Sequence, residues 1–178
     1  TVDFGYFAGG NIPGMTSIID RIEYANDSVV AVVKGPLSTT ASHIASTGNQ
    51  SHGFFSSYAY GKSTVDRLDY SSDSTACVTK GPRTITSSAA AAATNGNLYG
   101  YFAGGTGNPP PYSTMDRIDY TNDTSTATVK GPLSSVRHRF STVCNSKYGW
   151  FLGGYSSPSR VSTVDRVDYS NDTATASV

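Results

Sequence analysis

Apolar and polar residues alternate along this chain in short runs, each closed by Gly, Pro, Asn or Asp. Val65, Arg67 and Asp69 fall on one side of an extended segment, and Asp66, Leu68 and Tyr70 on the other. A period of two predicts β-strand. The run also recurs. Asp-Arg-(Ile/Leu/Val)-(Asp/Glu)-Tyr begins at Asp20, Asp66, Asp116 and Asp165, at intervals of 46, 50 and 49 residues. Lys-Gly-Pro begins at Lys34, Lys80 and Lys130, each 14 residues after its Asp, and Asn49, Asn95 and Asn145 follow each Lys by 15. An aromatic–glycine segment completes the unit: Gly5-Tyr6-Phe7-Ala8-Gly9-Gly10, Gly53-Phe54-Phe55, Gly100-Tyr101-Phe102-Ala103-Gly104-Gly105 and Gly149-Trp150-Phe151-Leu152-Gly153-Gly154.

Residues 1–178 therefore read as one repeat array, divided at about 1–34, 35–80, 81–130 and 131–178. Each repeat predicts four strands: a before the aromatic segment, b on it, c on the Asp-Arg run, and d before Lys-Gly-Pro. Asn-Asp-(Ser/Thr) and its variants between c and d predict tight hairpin turns, because Asx side chains bond their own backbone. Gly-Pro cannot continue a ladder and turns the chain out of the sheet. Length varies mainly between b and c. The run Ala89–Ala93 is too short and uncapped for a helix and falls in register on strand a. Four short antiparallel strands repeated about every 48 residues fit a β-propeller blade.

Composition narrows the function. Serine (26) and threonine (21) abound, only 15% of residues are charged, and 13 Lys+Arg balance 13 Asp+Glu. A neutral chain without a basic run does not predict nucleic-acid binding. No apolar stretch reaches the length of a membrane helix. Cys77 and Cys144 stand at non-equivalent places and do not predict a bridge.

The pattern resembles kelch repeats in the Gly-Gly after an aromatic strand b, the Val-x-x-(apolar)-Asp-Tyr of strand c, and the Gly-Pro-Leu after strand d. It departs in lacking a Trp on strand d, and in having Ser56-Ser57 where the double glycine stands elsewhere. It is more closely similar to a kelch-like variant found in structural proteins of marine bacteriophages and environmental viral sequences. The resemblance implies an all-β kelch-like β-propeller of four-stranded antiparallel blades. It also implies a virion or extracellular setting and a place in a phage tail fibre or similar appendage. The run begins at a strand b and ends after a strand d, so the ring is expected to be completed by further chain, with an eight-blade ring of two chains as the runner-up.

An arginine on a strand sandwiched between blades must be paired. Arg21, Arg67, Arg117 and Arg166 each have an acid two residues on, namely Glu23, Asp69, Asp119 and Asp168; cross-strand or cross-blade partners are equally open. These eight are expected to be structural charge pairs. The sequons at Asn26, Asn49, Asn122 and Asn171 are, for three of the four, explained by turn chemistry. His43, His52 and His138 show no metal-ligand spacing, and no nucleophile elbow or phosphate loop occurs. Some kelch-fold proteins are copper oxidases, but no Tyr, His and Cys ligand cluster is evident. No catalytic residue, metal or cofactor is expected.

Antiparallel order puts the b–c and d–a loops at one end of the blades. Asn11, Tyr58, Tyr60, Lys62, Tyr112, Arg137, His138, Tyr155 and Arg160 break the repeat on that face and are the candidate binding residues. The expected function is a non-enzymatic structural or binding module, contacting a host surface glycan or protein or a neighbouring virion protein. A free carbohydrate-binding lectin is the alternative.

Overall fold

Each aromatic run pairs antiparallel with the Asp-Arg run that follows it, in the same register every time. The computed structural model describes residues 3–11, 13–58, 63–88, 90–107 and 112–178. Sheet I contains β1 (Phe4–Ala8), β2 (Ile19–Glu23) and β3 (Val32–Lys34). Sheet II contains β4 (Ser42–Gly48), β5 (His52–Tyr58), β6 (Val65–Asp69) and β7 (Val78–Lys80). Sheet III contains β8 (Ala91–Thr94), β9 (Tyr99–Ala103), β10 (Met115–Asp119) and β11 (Thr128–Lys130). Sheet IV begins with β12 (Ser141–Cys144) and β13 (Tyr148–Leu152). A small hairpin follows, β14 (Tyr155–Ser156) with β15 (Ser159–Arg160), and β16 (Val164–Asp168) then completes the sheet. Arg21, Arg67, Arg117 and Arg166 face Tyr6, Phe54, Tyr101 and Trp150 across the strand pair. The fold is all-β and antiparallel, with consecutive strands adjacent in each sheet.

No sheet encloses a core of its own. Ile19, Leu37 and Ala41 of the first repeat and its connection pack on Phe55, Leu68 and Cys77 of sheet II. Phe54 and Val65 pack on Phe102, Ile118 and Ala127 of the third repeat, and Tyr101 and Met115 pack on Phe151, Val167 and Ala176 of the fourth. Both faces of the interior strands are thus used, which is why apolar residues occupy both sides of the aromatic segments. An aromatic pair crosses each of these seams in near-parallel stacking: Tyr6 on Tyr70, Phe54 on Tyr120 and Tyr101 on Tyr169, with centroids 4.9, 4.8 and 4.8 Å apart.

The alanine run is strand, as its register predicts; Ala91 and Ala93 are buried, while Ala89 lies outside the described residues. β4, β8 and β12 come together and line a hollow of about 260 Å³. Thr47 donates to the Ala93 carbonyl at 2.9 Å across this meeting. Among the described residues no hydrogen bond or ion pair joins sheet IV to sheet I.

Two expectations need correction. The c–d connections are longer than tight hairpins: strand c stops at its last acid, and Tyr24–Asn26, Tyr70–Ser72 and Tyr169–Asn171 form 3-10 turns. The missing double glycine of the second repeat is at positions 57 and 58 rather than 56 and 57, because Ser56 pairs with Val65 as Ala8 pairs with Ile19 and Ala103 with Met115. Gly9 and Gly104 adopt φ of +65° and +62°, a left-handed turn that ends their strands. Ser57-Tyr58 has no such freedom, and β5 runs on through them.

Candidate functional site

The recurring charges are spent between sheets. Arg21 and Lys34 of sheet I both reach Asp73, in the c–d turn of sheet II, at 2.7 and 3.1 Å. Arg67 and Lys80 reach Asp123 at 2.7 and 3.1 Å, and Arg117 and Lys130 reach Asp172 at 2.7 and 3.2 Å. The Tyr6 and Tyr101 hydroxyls also donate, to Asp73 and Asp172. Burial alone would raise the Asp73 carboxyl, but hydrogen bonds from Lys34 and Tyr6 and the charge of Arg21 outweigh it and hold it below the usual carboxylate range.

The backbone of Lys-Gly-Pro continues the joint. Gly35 N–H donates to the Asp73 carbonyl and Pro36 C=O accepts from Cys77 N–H, both at 2.8 Å. Gly81–Asp123 with Pro82–Ala127, and Gly131–Asp172 with Pro132–Ala176, repeat it at 2.8–2.9 Å. A Cβ on Gly35, Gly81 or Gly131 would run into the carbonyl of Thr75, Ser125 or Ala174, so the approach requires glycine.

This corrects the expected pairing. Glu23, Asp69, Asp119 and Asp168 do not bridge to the arginines beside them. Asp69, Asp119 and Asp168 instead accept from the N–H and hydroxyl of Ser71, Thr121 and Ser170 and cap the following turn. Glu23 is exposed and makes no such cap. Arg166 is exposed, lies 5.1 Å over the Tyr148 ring and makes no ion pair among the described residues.

A second set of carboxylates is deeper. Asp66, Asp116 and Asp165, on strand c, accept from the N–H and hydroxyl of Ser38, Thr84 and Ser134 in the preceding d–a connection. Two of them also meet a buried guanidinium. Arg83 approaches Asp116 at 3.4 Å and donates to Ser56 and Ser87. Arg137 approaches Asp165 at 3.0 Å and donates to the Phe151 carbonyl at 3.1 Å. Arg137 was a candidate binding residue, but it is fully buried. Its backbone belongs to the loop end, where its carbonyl accepts from Gly105; its side chain turns inward to the carboxylate.

The b–c and d–a connections do share one end, joined by bridges Thr16–Ala41, Ser88–Thr106 and His138–Tyr155. Asn11 is exposed there and Tyr112 is half-buried, its carbonyl accepting from Arg137 N–H. Tyr60 and Lys62 lie outside the described residues, as does the Tyr58 side chain. The structure gathers His138, Tyr155 and Arg160 at sheet IV. The His138 and Tyr155 rings meet edge to face at 5.3 Å, and Tyr155 pairs with Arg160 across the β14–β15 hairpin. Arg139, Gly154, Tyr155, Arg160 and Val161 line a hollow of about 620 Å³.

Arg139 breaks the repeat on the third d–a loop together with Arg137 and His138. It holds a left-handed φ of +57°, as His43 does at the equivalent place (+53°), which turns it out of the ladder beside the hairpin. Arg139 and Arg160 are exposed and form no ion pair among the described residues. Burial, with the Arg139 charge, lowers the His138 pKa, so its ring is neutral around neutral pH. Among the described residues no cluster of His, Cys, Asp or Glu could hold a metal ion. No protein-family model matches the chain, and no curated protein matches it.

Proposed function

We propose that the chain is part of a kelch-like β-propeller serving as a non-enzymatic binding or structural module of a phage tail fibre or similar virion appendage. Its b–c loop end would contact a host surface molecule or a neighbouring virion protein. One observation carries this reading: most of the polar side chains that recur in every repeat are engaged in joints or turn caps, whereas the repeat-breaking Arg139 and Arg160 form no ion pair among the described residues and line a hollow together with Tyr155. Two guanidinium groups beside an aromatic ring suit an anionic or carboxylate-bearing group, because arginine binds such groups through a planar fork. Kelch likeness supplies the blade assignment and viral likeness the setting; both come from the sequence pattern.

The test is binding of the soluble chain to an array of neutral and acidic glycans and to purified virions. Retention on acidic ligands, lost in Arg139→Ala/Arg160→Ala, supports the reading; unchanged binding in that variant refutes the assigned site. The hollow also favours a second reading, a free carbohydrate-binding lectin. Co-purification of the protein with virions separates the two.

A further inference from the structure

The three internal joints follow one code. The upstream sheet offers an aromatic residue on strand b and an arginine on strand c (Tyr6 and Arg21, Phe54 and Arg67, Tyr101 and Arg117). The downstream sheet offers a tyrosine and an aspartate from the c–d turn (Tyr70 and Asp73, Tyr120 and Asp123, Tyr169 and Asp172). The downstream strand b adds a phenylalanine: Phe55, Phe102 and Phe151 are 3%, 0% and 0% exposed.

Both halves of this code recur unused. Sheet I presents Tyr24, 54% exposed, Phe7, 60% exposed, and the exposed Asp27 at the equivalent positions. Sheet IV presents Trp150, half-buried, and the exposed Arg166. Neither half touches the other within the chain through a hydrogen bond, ion pair or ring contact among the described residues. We propose that the open face of sheet IV binds the open face of sheet I on a second copy of this chain, head to tail, with Trp150 stacked on Tyr24 and Arg166 paired to Asp27. The two faces are complementary in charge and in aromatic shape, and they are different surfaces, so the contact is heterologous and closes into a ring or extends into a filament according to its rotation.

Sedimentation velocity of the 178-residue chain over a concentration series tests this, read together with the emission of Trp150, the single tryptophan. Association accompanied by a blue shift is the expected result. Arg166→Asp and Asp27→Arg, each on an exposed side chain that serves no internal joint, should weaken association at least tenfold while circular dichroism stays unchanged. The double exchange within one chain should restore it. A chain that stays monomeric throughout the series overturns the proposal, including the case of a concentration-independent blue emission, which means the two faces close on each other within one molecule. Association that neither substitution weakens also overturns it.

Discussion

Arg83 and Arg137 place their guanidinium groups on equivalent carboxylates, Asp116 and Asp165, although they stand four positions apart in the repeat. Where Arg83 stands, the next repeat has Leu133; where Arg137 stands, the previous one has Ser87. The space next to the strand c aspartate is filled from either position. Ser56 and Ser87 belong to the same solution, since both accept from Arg83.

Removing either arginine leaves a buried aspartate without its counter-charge. Arg137→Ala should cost about 3–5 kcal/mol, measured by urea unfolding. Exchanging the pattern, with Leu133→Arg, Arg137→Ser and Ala103→Ser (the counterpart of Ser56) in one chain, should recover a large part of that loss. A triple variant no more stable than Arg137→Ala would show that the two positions are not interchangeable.

Arg67 is partly exposed, and Lys80 would remain on Asp123 after its removal. Arg67→Ala should therefore cost less, about 1.5–3 kcal/mol. Asp69→Ala should cost about 1 kcal/mol as the loss of a turn cap. A double-mutant cycle separates the two roles: Arg67 and Asp123 should couple clearly, and Arg67 and Asp69 hardly at all.

The joints give a stability maximum bounded on both sides. Asp73 has a folded pKa below its ordinary value of 3.8, so its contribution is complete above that value and is lost as pH falls through the lower, folded one. Asp73→Asn should be less stable near neutrality and show a flatter acid limb. At the other end burial pushes Tyr70 and Tyr120 up to about 12 from 10.0. Protons are then held more tightly in the folded chain, so stability is intact below pH 10 and declines as pH rises toward 12. Phenolate absorbance followed alongside circular dichroism should show these tyrosines ionising with unfolding.

The two thiols should react at very different rates. Cys144 is exposed, whereas Cys77 is buried between sheets I and II and its thiol is pushed up to about 12 by burial, with the Asp66 charge adding to it. Mass spectrometry after alkylation of the native chain should show one label, and two after denaturation. Rapid native labelling of Cys77 would mean that the first seam opens readily.

The repeat, its strands and the loop end were legible because period and spacing are local properties. The partner of each arginine was not. Asp69 lies two residues from Arg67 on the same side, but Asp123 lies 56 residues away and holds the ion pair. A strand sandwiched between sheets satisfies its charges sideways, so chain proximity misleads. The turn aspartates Asp27, Asp73, Asp123 and Asp172 recur as strictly as the arginines, and that was the overlooked signal. Arg137 misled for the opposite reason. An irregular residue on a loop reads as a recognition residue, yet this one substitutes for another arginine inside the seam. His138, Tyr155 and Arg160 lie at one end because strand order alone puts the b–c and d–a loops there.

Because every apolar cluster straddles two consecutive sheets, stability in this chain is owned by seams rather than by modules. Each seam uses interchangeable fittings, so excising one whole unit would bring two unmated halves of the same gauge together. Such a chain can be lengthened or shortened by whole units without redesigning those that remain, whereas a cut inside a unit spoils the fit on both of its sides.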